Sequence, residues 1–129
     1  MIEFDYNLDY KNLMFEKNDK RYRIGRGEQG VLLVRPYTDE ICKHWRFKTP
    51  KEAYISASRI LFLYNTYRDM KDFVGMDMAR KFLEMGFTRA TSDKAKSAKI
   101  FKDARSRVTT DPKYIQMRKE WRQRENANV

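Results

Sequence analysis

The chain has 129 residues, 41% of them hydrophobic and 36% charged, with a formal net charge of +10. That length suits one domain with a single modest core, and the longest apolar runs, Gly30–Val34 and Ile60–Tyr64, are far too short to cross a bilayer. One cysteine excludes an internal disulfide, and the first residues lack the basic and apolar regions of a signal peptide, so the expected home is the cytoplasm, or the host cytoplasm if the chain is phage-encoded.

The charge is uneven. Residues 1–87 carry 16 Lys/Arg against 13 Asp/Glu, whereas residues 88–129 carry 12 against 5. An excess of positive charge points to a polyanionic partner, most often nucleic acid, with solubility as the plain alternative.

The opening EFDYNLDYKNLMFE alternates acids with aromatics and reads as an arm that lays Phe4, Tyr6, Leu8 and Tyr10 on the core. Lys20–Ile24 and Val31–Tyr37 read as two strands around the loop Gly25-Arg26-Gly27-Glu28-Gln29-Gly30. Val31–Val34 is apolar without alternation, as in a strand covered on both faces. The loop is a GxGxxG pattern, but no helix is expected straight after it and no kinase motifs follow. Its glycines are read as turn residues with positive φ. Arg23, Arg26 and the loop N–H groups are candidate contacts for a phosphate of a larger polyanion.

His44–Lys48 alternates, with Trp45 and Phe47 on one face and His44, Arg46 and Lys48 on the other. It reads as a third strand, half buried, leaving Arg46 and Lys48 at the surface. Cys42 and His44 are the only residues of their types, too few for a closed zinc site or an oriented Cys–His pair. No cofactor, metal or named chemistry is expected.

Thr49-Pro50-Lys51-Glu52 is a helix start: a Thr N-cap, Pro at the first helical position, and Glu52 placed for a capping box. Apolar residues then recur at Ala53, Ala57, Ile60, Leu61, Tyr64 and Tyr67, which predicts a helix over about 50–70. After a break near Lys71-Asp72, a second helix has a broad apolar face of Phe73, Met76, Met78, Ala79, Phe82 and Leu83, with Gly86 as its C′ cap. Asp77 and Glu84 are expected on a solvated acidic edge beside Arg80 and Lys81.

HWRFKTP followed by DFVGMDMARKFLEMGFTR, with the upstream RIGRGEQGVLLV, resembles a family of small proteins of unknown function found in bacteria, bacteriophages and some eukaryotes. The resemblance covers most of residues 1–89 and implies no activity. Members of that family often carry a further basic, aromatic and glycine-containing segment after the position of Thr88-Arg89. This chain goes straight to Ala90-Thr91-Ser92-Asp93.

Thr91 or Ser92 is expected to cap a third helix over about 93–108, with Lys96, Lys99 and Lys102 on one ridge. Asp111-Pro112 opens a last helix over about 112–125, with Arg118 and Arg122 four apart.

The expected fold is α+β: residues 1–48 form the arm and a small antiparallel sheet of about three strands, 49–87 a helical pair, and 88–129 two basic helices, all in one domain. The expected function is a non-enzymatic nucleic-acid-binding module making sequence-independent phosphate contacts to DNA or RNA. Lys96, Lys99, Lys102, Arg118 and Arg122 would form its groove, and Lys99, Lys102, Arg118 and Arg122 are expected to be exposed enough for replacement by Ala with little change in stability. Arg23, Arg26, Arg46 and Lys48 are further candidates. The alternatives are a protein-interaction module, such as a phage-encoded modulator of a host complex, drawing on the arm and on Met70, Met76, Met78 and Met85, or an enzyme of unidentified chemistry.

Overall fold

The computed structural model describes residues 3–90 and 94–127. Its helices are α1 (Tyr37–Cys42), α2 (Pro50–Asp69), α3 (Phe73–Arg89), α4 (Ala95–Thr109) and α5 (Pro112–Ala127), and no strand occurs among the described residues. The architecture is therefore all-α, which overturns the expected α+β fold and its three-stranded sheet.

The reason lies in residues 20–48. Val31 N–H donates to the Glu28 carbonyl at 3.1 Å and Leu33 N–H to the Gly30 carbonyl at 3.0 Å, so Val31–Val34 winds in tight turns. Val31 and Val34 are buried while Leu32 is 56% exposed, a period of three rather than two. Tyr37, expected to end a strand, begins α1. The His44–Lys48 stretch does keep its in–out alternation, with Trp45 and Phe47 half buried and Arg46 and Lys48 exposed. Yet Arg46 N–H donates to the Ser56 hydroxyl at 3.0 Å, a side chain of α2, and not to a neighbouring strand.

The loop glycines behave as turn residues. Gly25, Gly27 and Gly30 all have positive φ. At Gly30 a side chain is also excluded by space, since an added Cβ would lie 2.1 Å from the Phe4 ring. That ring opens a stack that continues through Tyr10 and Phe15, with centroids 5.6 and 6.0 Å apart. The arm thus lays Phe4, Tyr10 and Phe15 on the core, and leaves Tyr6 outside.

The helix starts follow their sequence signals. Thr49 Oγ1 accepts from Glu52 N–H at 3.1 Å, with Pro50 at the first helical position. Asp72 accepts from Gly75 N–H at 3.3 Å to open α3. Asp111 accepts from Lys113 N–H at 3.1 Å ahead of α5. The expected cap of α4 at Thr91 or Ser92 lies outside the described residues.

α3 is the axis of the molecule. α2, α3 and α4 pack mutually, and α1 and α5 also lie against α3. Most residues from Phe73 to Gly86 are buried whichever way they point, as a helix enclosed on all sides requires.

Gly86 is not the cap expected of it, because α3 runs on to Arg89. It is the point where α4 comes closest: a Cβ there would sit 2.4 Å from the fully buried Phe101 ring. Alanine would gain about 1 kcal/mol in helix propensity. The displaced ring has nowhere to go, and overpacking of this kind costs about 1–3 kcal/mol. Gly86→Ala is therefore expected to lower the urea midpoint of unfolding; an unchanged midpoint would show that α4 can yield.

Candidate nucleic-acid interface

Asp77, Arg80 and Lys81 of α3 lie inside the protein, not on the solvated edge expected for them, and Glu84 is partly exposed. Asp77 is fully buried, Arg80 is 6% exposed and Lys81 is fully buried. A central helix has no outward face for them, so each needs an internal partner. Asp77 takes both Arg80 Nε (3.0 Å) and Nη2 (2.7 Å), the Tyr114 hydroxyl at 2.6 Å and the Tyr22 hydroxyl. Burial pushes its carboxyl up, but Arg80, Lys81 and the two hydroxyls outweigh burial and hold it below its ordinary value. Lys81 Nζ donates to the Gln29 carbonyl at 2.6 Å and lies 4.9 and 4.7 Å from the Phe4 and Tyr22 ring centres. Burial brings its pKa down to about 7, against the pull of Asp77.

Above this network lies an open cleft of about 640 Å³ between α3, α5 and the loop at Gly27. Arg80, Arg118, Lys119 and Arg122 line it, and its single lining carboxylate is Glu84. Glu84 is already engaged, 3.6 Å from Arg80 and 3.3 Å from Arg105. Among the described residues Arg118 and Lys119 have no ion-pair partner. Arg122 is only 15% exposed in its side chain, which overturns the expectation that it is freely replaceable. Its Nη2 donates to the Gly25 carbonyl at 2.8 Å, and its Nη1 faces Glu125 at 3.5 Å without a hydrogen bond.

The two basic ridges do not meet in one groove as expected. Arg118 and Arg122 belong to the α3–α5 cleft, whereas Lys99 and Lys102 line a separate depression with Phe87 and Ala90. Lys96 is exposed on the flank of α4, and Lys99 is paired with Asp103 at 2.9 Å. Arg23 is half buried in a small recess beside Trp121, Arg124 and Glu125. Arg26 is exposed and lies 3.3 Å from Glu3. Its N–H is spent on the Gln29 side chain, and that of Gln29 on the Arg26 carbonyl, so these loop amides are not free for a phosphate. Arg46 and Lys48 stay exposed at the entry to α2, where Arg46 donates to the Trp45 carbonyl at 2.7 Å.

Other expected features resolve plainly. Trp45 and Phe47 pack on each other, and Trp45 Nε1 donates to the Phe82 carbonyl at 3.1 Å. Of Met70, Met76, Met78 and Met85, the last three are buried and Met70 is exposed. Cys42 is partly buried against the core. Burial, then the cations Lys43, Arg59 and Arg46, push His44 below its ordinary pKa. Among the described residues no group of three or more His, Cys, Asp or Glu is placed to hold a metal ion, and no helix is long and apolar enough to cross a membrane.

The sequence reading missed Arg80 and Lys119 as cleft residues, and it missed Tyr54, Ile55 and Phe62, which stand exposed on α2. The signal for the last three was present: they are apolar residues off the stripe Ala53, Ala57, Ile60, Tyr64, Tyr67.

A family model described as Domain of unknown function (DUF4385) matches residues 5–93. No curated protein matches, and no solved structure matches. The chain belongs to this family.

Proposed function

We propose that this member of the DUF4385 family is a non-enzymatic nucleic-acid-binding module that takes phosphates into the cleft between α3 and α5, independently of base sequence. The observation that carries the reading is the convergence of four cationic side chains on a cleft whose lining carboxylate is already engaged by two arginines. Arg118 and Lys119 are the phosphate ligands in this reading. Arg80 and Arg122 are held from below by Asp77 and by the Gly25 carbonyl, and they set the field of the cleft. The charge excess of the whole chain would raise the association rate and make affinity fall steeply with salt.

Filter binding to random DNA and RNA across a salt series tests this. The expected result is a linear fall of log K with log salt. The Arg118→Ala, Lys119→Ala double variant is expected to weaken binding equally on all sequences and to flatten the slope by about one unit for each phosphate no longer neutralised. It is expected to leave the unfolding midpoint nearly unchanged, since surface charges contribute little to stability. Absence of binding by the parent at low salt ends the reading.

A further inference from the structure

A second concavity, of about 280 Å³, lies between α2 and α4. Its walls are Tyr54 and Leu61 from α2 and Ile100 and Arg107 from α4. Tyr54, which borders the concavity, is 66% exposed, and Phe62, about 80° further round α2 on its solvent side, is 71% exposed. They are eight residues apart, about 12 Å along the helix axis. An exposed ring commonly belongs to a packed cluster that merely reaches the surface, as Trp45 and Phe47 do. Tyr54 and Phe62 take part in no ring pair, and unlike Phe82, Phe87 and Phe101, which also form none, they are not packed into the core.

The charge around the concavity selects its occupant. On α4, Lys96, Ile100, Asp103 and Arg107 follow one another at steps of four, three and four, so they share one side of the helix. The one lining carboxylate, Asp103, is held by Lys99 at 2.9 Å, which leaves Lys96 and Arg107 to an anion.

We infer that the α2–α4 concavity and the adjoining solvent side of α2 form a stacking platform for single-stranded nucleic acid, with Tyr54 at the concavity and Phe62 beside it receiving bases, and Lys96 and Arg107 receiving phosphates. This deepens the phosphate-cleft reading and rests on it. It adds the strand form: in a duplex the base faces are already stacked on one another, and only a single strand can present them to a ring.

The test is fluorescence anisotropy with a labelled mixed-sequence single strand and with its duplex, at low salt. The parent is compared with Tyr54→Leu, Phe62→Leu and the double variant. Leucine keeps apolar bulk and helix propensity, and both sites are exposed, so folding is not at stake. Single-strand affinity is expected to fall about tenfold for each ring removed, with duplex affinity unchanged. Photocross-linking of a 5-iodouridine strand is expected to give adducts at Tyr54 or Phe62. If the parent binds both strand forms and the leucine variants bind the single strand as well as it does, the platform is overturned while the cleft stands; the face would then suit a protein partner. If the parent binds neither form, the cleft reading is overturned and the platform goes with it.

Discussion

Asp77→Asn is expected to destabilise the protein by about 3–5 kcal/mol, the typical cost of removing one partner from a buried ion pair. Asparagine preserves the size of the side chain and can still accept one of the hydroxyls. It cannot balance the guanidinium of Arg80, which is 6% exposed and bonded twice to the carboxylate. Nor can it accept from Arg80, Tyr22 and Tyr114 at once, since half of its polar end is now a donor. A domain of this size has only about 5–15 kcal/mol in all, so the urea midpoint should drop sharply. Arg80→Met in the same chain is expected to restore part of the loss, because the pair is then removed together. If Asp77→Asn unfolds at the parent's midpoint, the network is ornamental and α3 is held by its apolar contacts alone.

The second large effect is in the pH profile. Lys81 has a folded pKa of about 7, below its ordinary 10.5, because burial outweighs the favourable field of Asp77. Below pH 7 the lysine is protonated in both states, and the folded state bears the cost of the buried charge. Between pH 7 and 10.5 the unfolded chain binds a proton that the folded chain does not. Stability therefore rises with pH through that window, by up to about 1.4 kcal/mol per unit for a single proton. Tyrosines set the upper limit: burial and then neighbouring carboxylates raise the pKa of Tyr22, Tyr37, Tyr64, Tyr67 and Tyr114, so above pH 10 the folded state holds protons that the unfolded state loses, and stability turns down. Arg80 and Arg122 also lower the pKa of Lys81, and Glu125 raises it. Urea midpoints from pH 7 to 9 should climb for the parent and stay nearly level for Lys81→Met. A level parent profile would mean that the Gln29 carbonyl and the two rings keep the ammonium charged.

The helices were legible where local chemistry specifies them. Thr49-Pro50 and Asp111-Pro112 mark starts that depend only on neighbouring residues, and both are used. The supposed hairpin was not legible, because Val31–Val34 is too short for its period to be read. Four apolar residues in a row satisfy a buried strand and a turn of helix equally. α3 was legible as a helix but not as the axis. A hydrophobic pattern reports how many faces are apolar and says nothing of how many neighbours arrive. Gly75 and Gly86, which receive the Tyr67 and Phe101 rings, were the sequence signs that it would be approached closely from two sides. The basic cleft was half legible: Arg118 and Arg122 are seen from their spacing, whereas Arg80 belongs to the site only because Asp77 aims it. Lys99 and Lys102 fall elsewhere because α4 turns that side toward Phe87.

The loop around Gly25 is tied to α5 by three bonds: Trp121 Nε1 to the Tyr22 carbonyl, Arg122 to the Gly25 carbonyl, and Ile24 N–H to Glu125, spanning 99, 97 and 101 positions of sequence. Contacts so distant form late, because the chain between them must be ordered first. On a ribosome adding about 5–20 residues per second, the loop would wait roughly 5–20 s for its partners to be made. Through that interval the carbonyls that α5 will cover face water, and the stretch matched by the family model has been synthesised without the helix that closes it. A released chain truncated before Trp121 should accordingly stay open to proteolysis at residues 22–27, and the full chain should not.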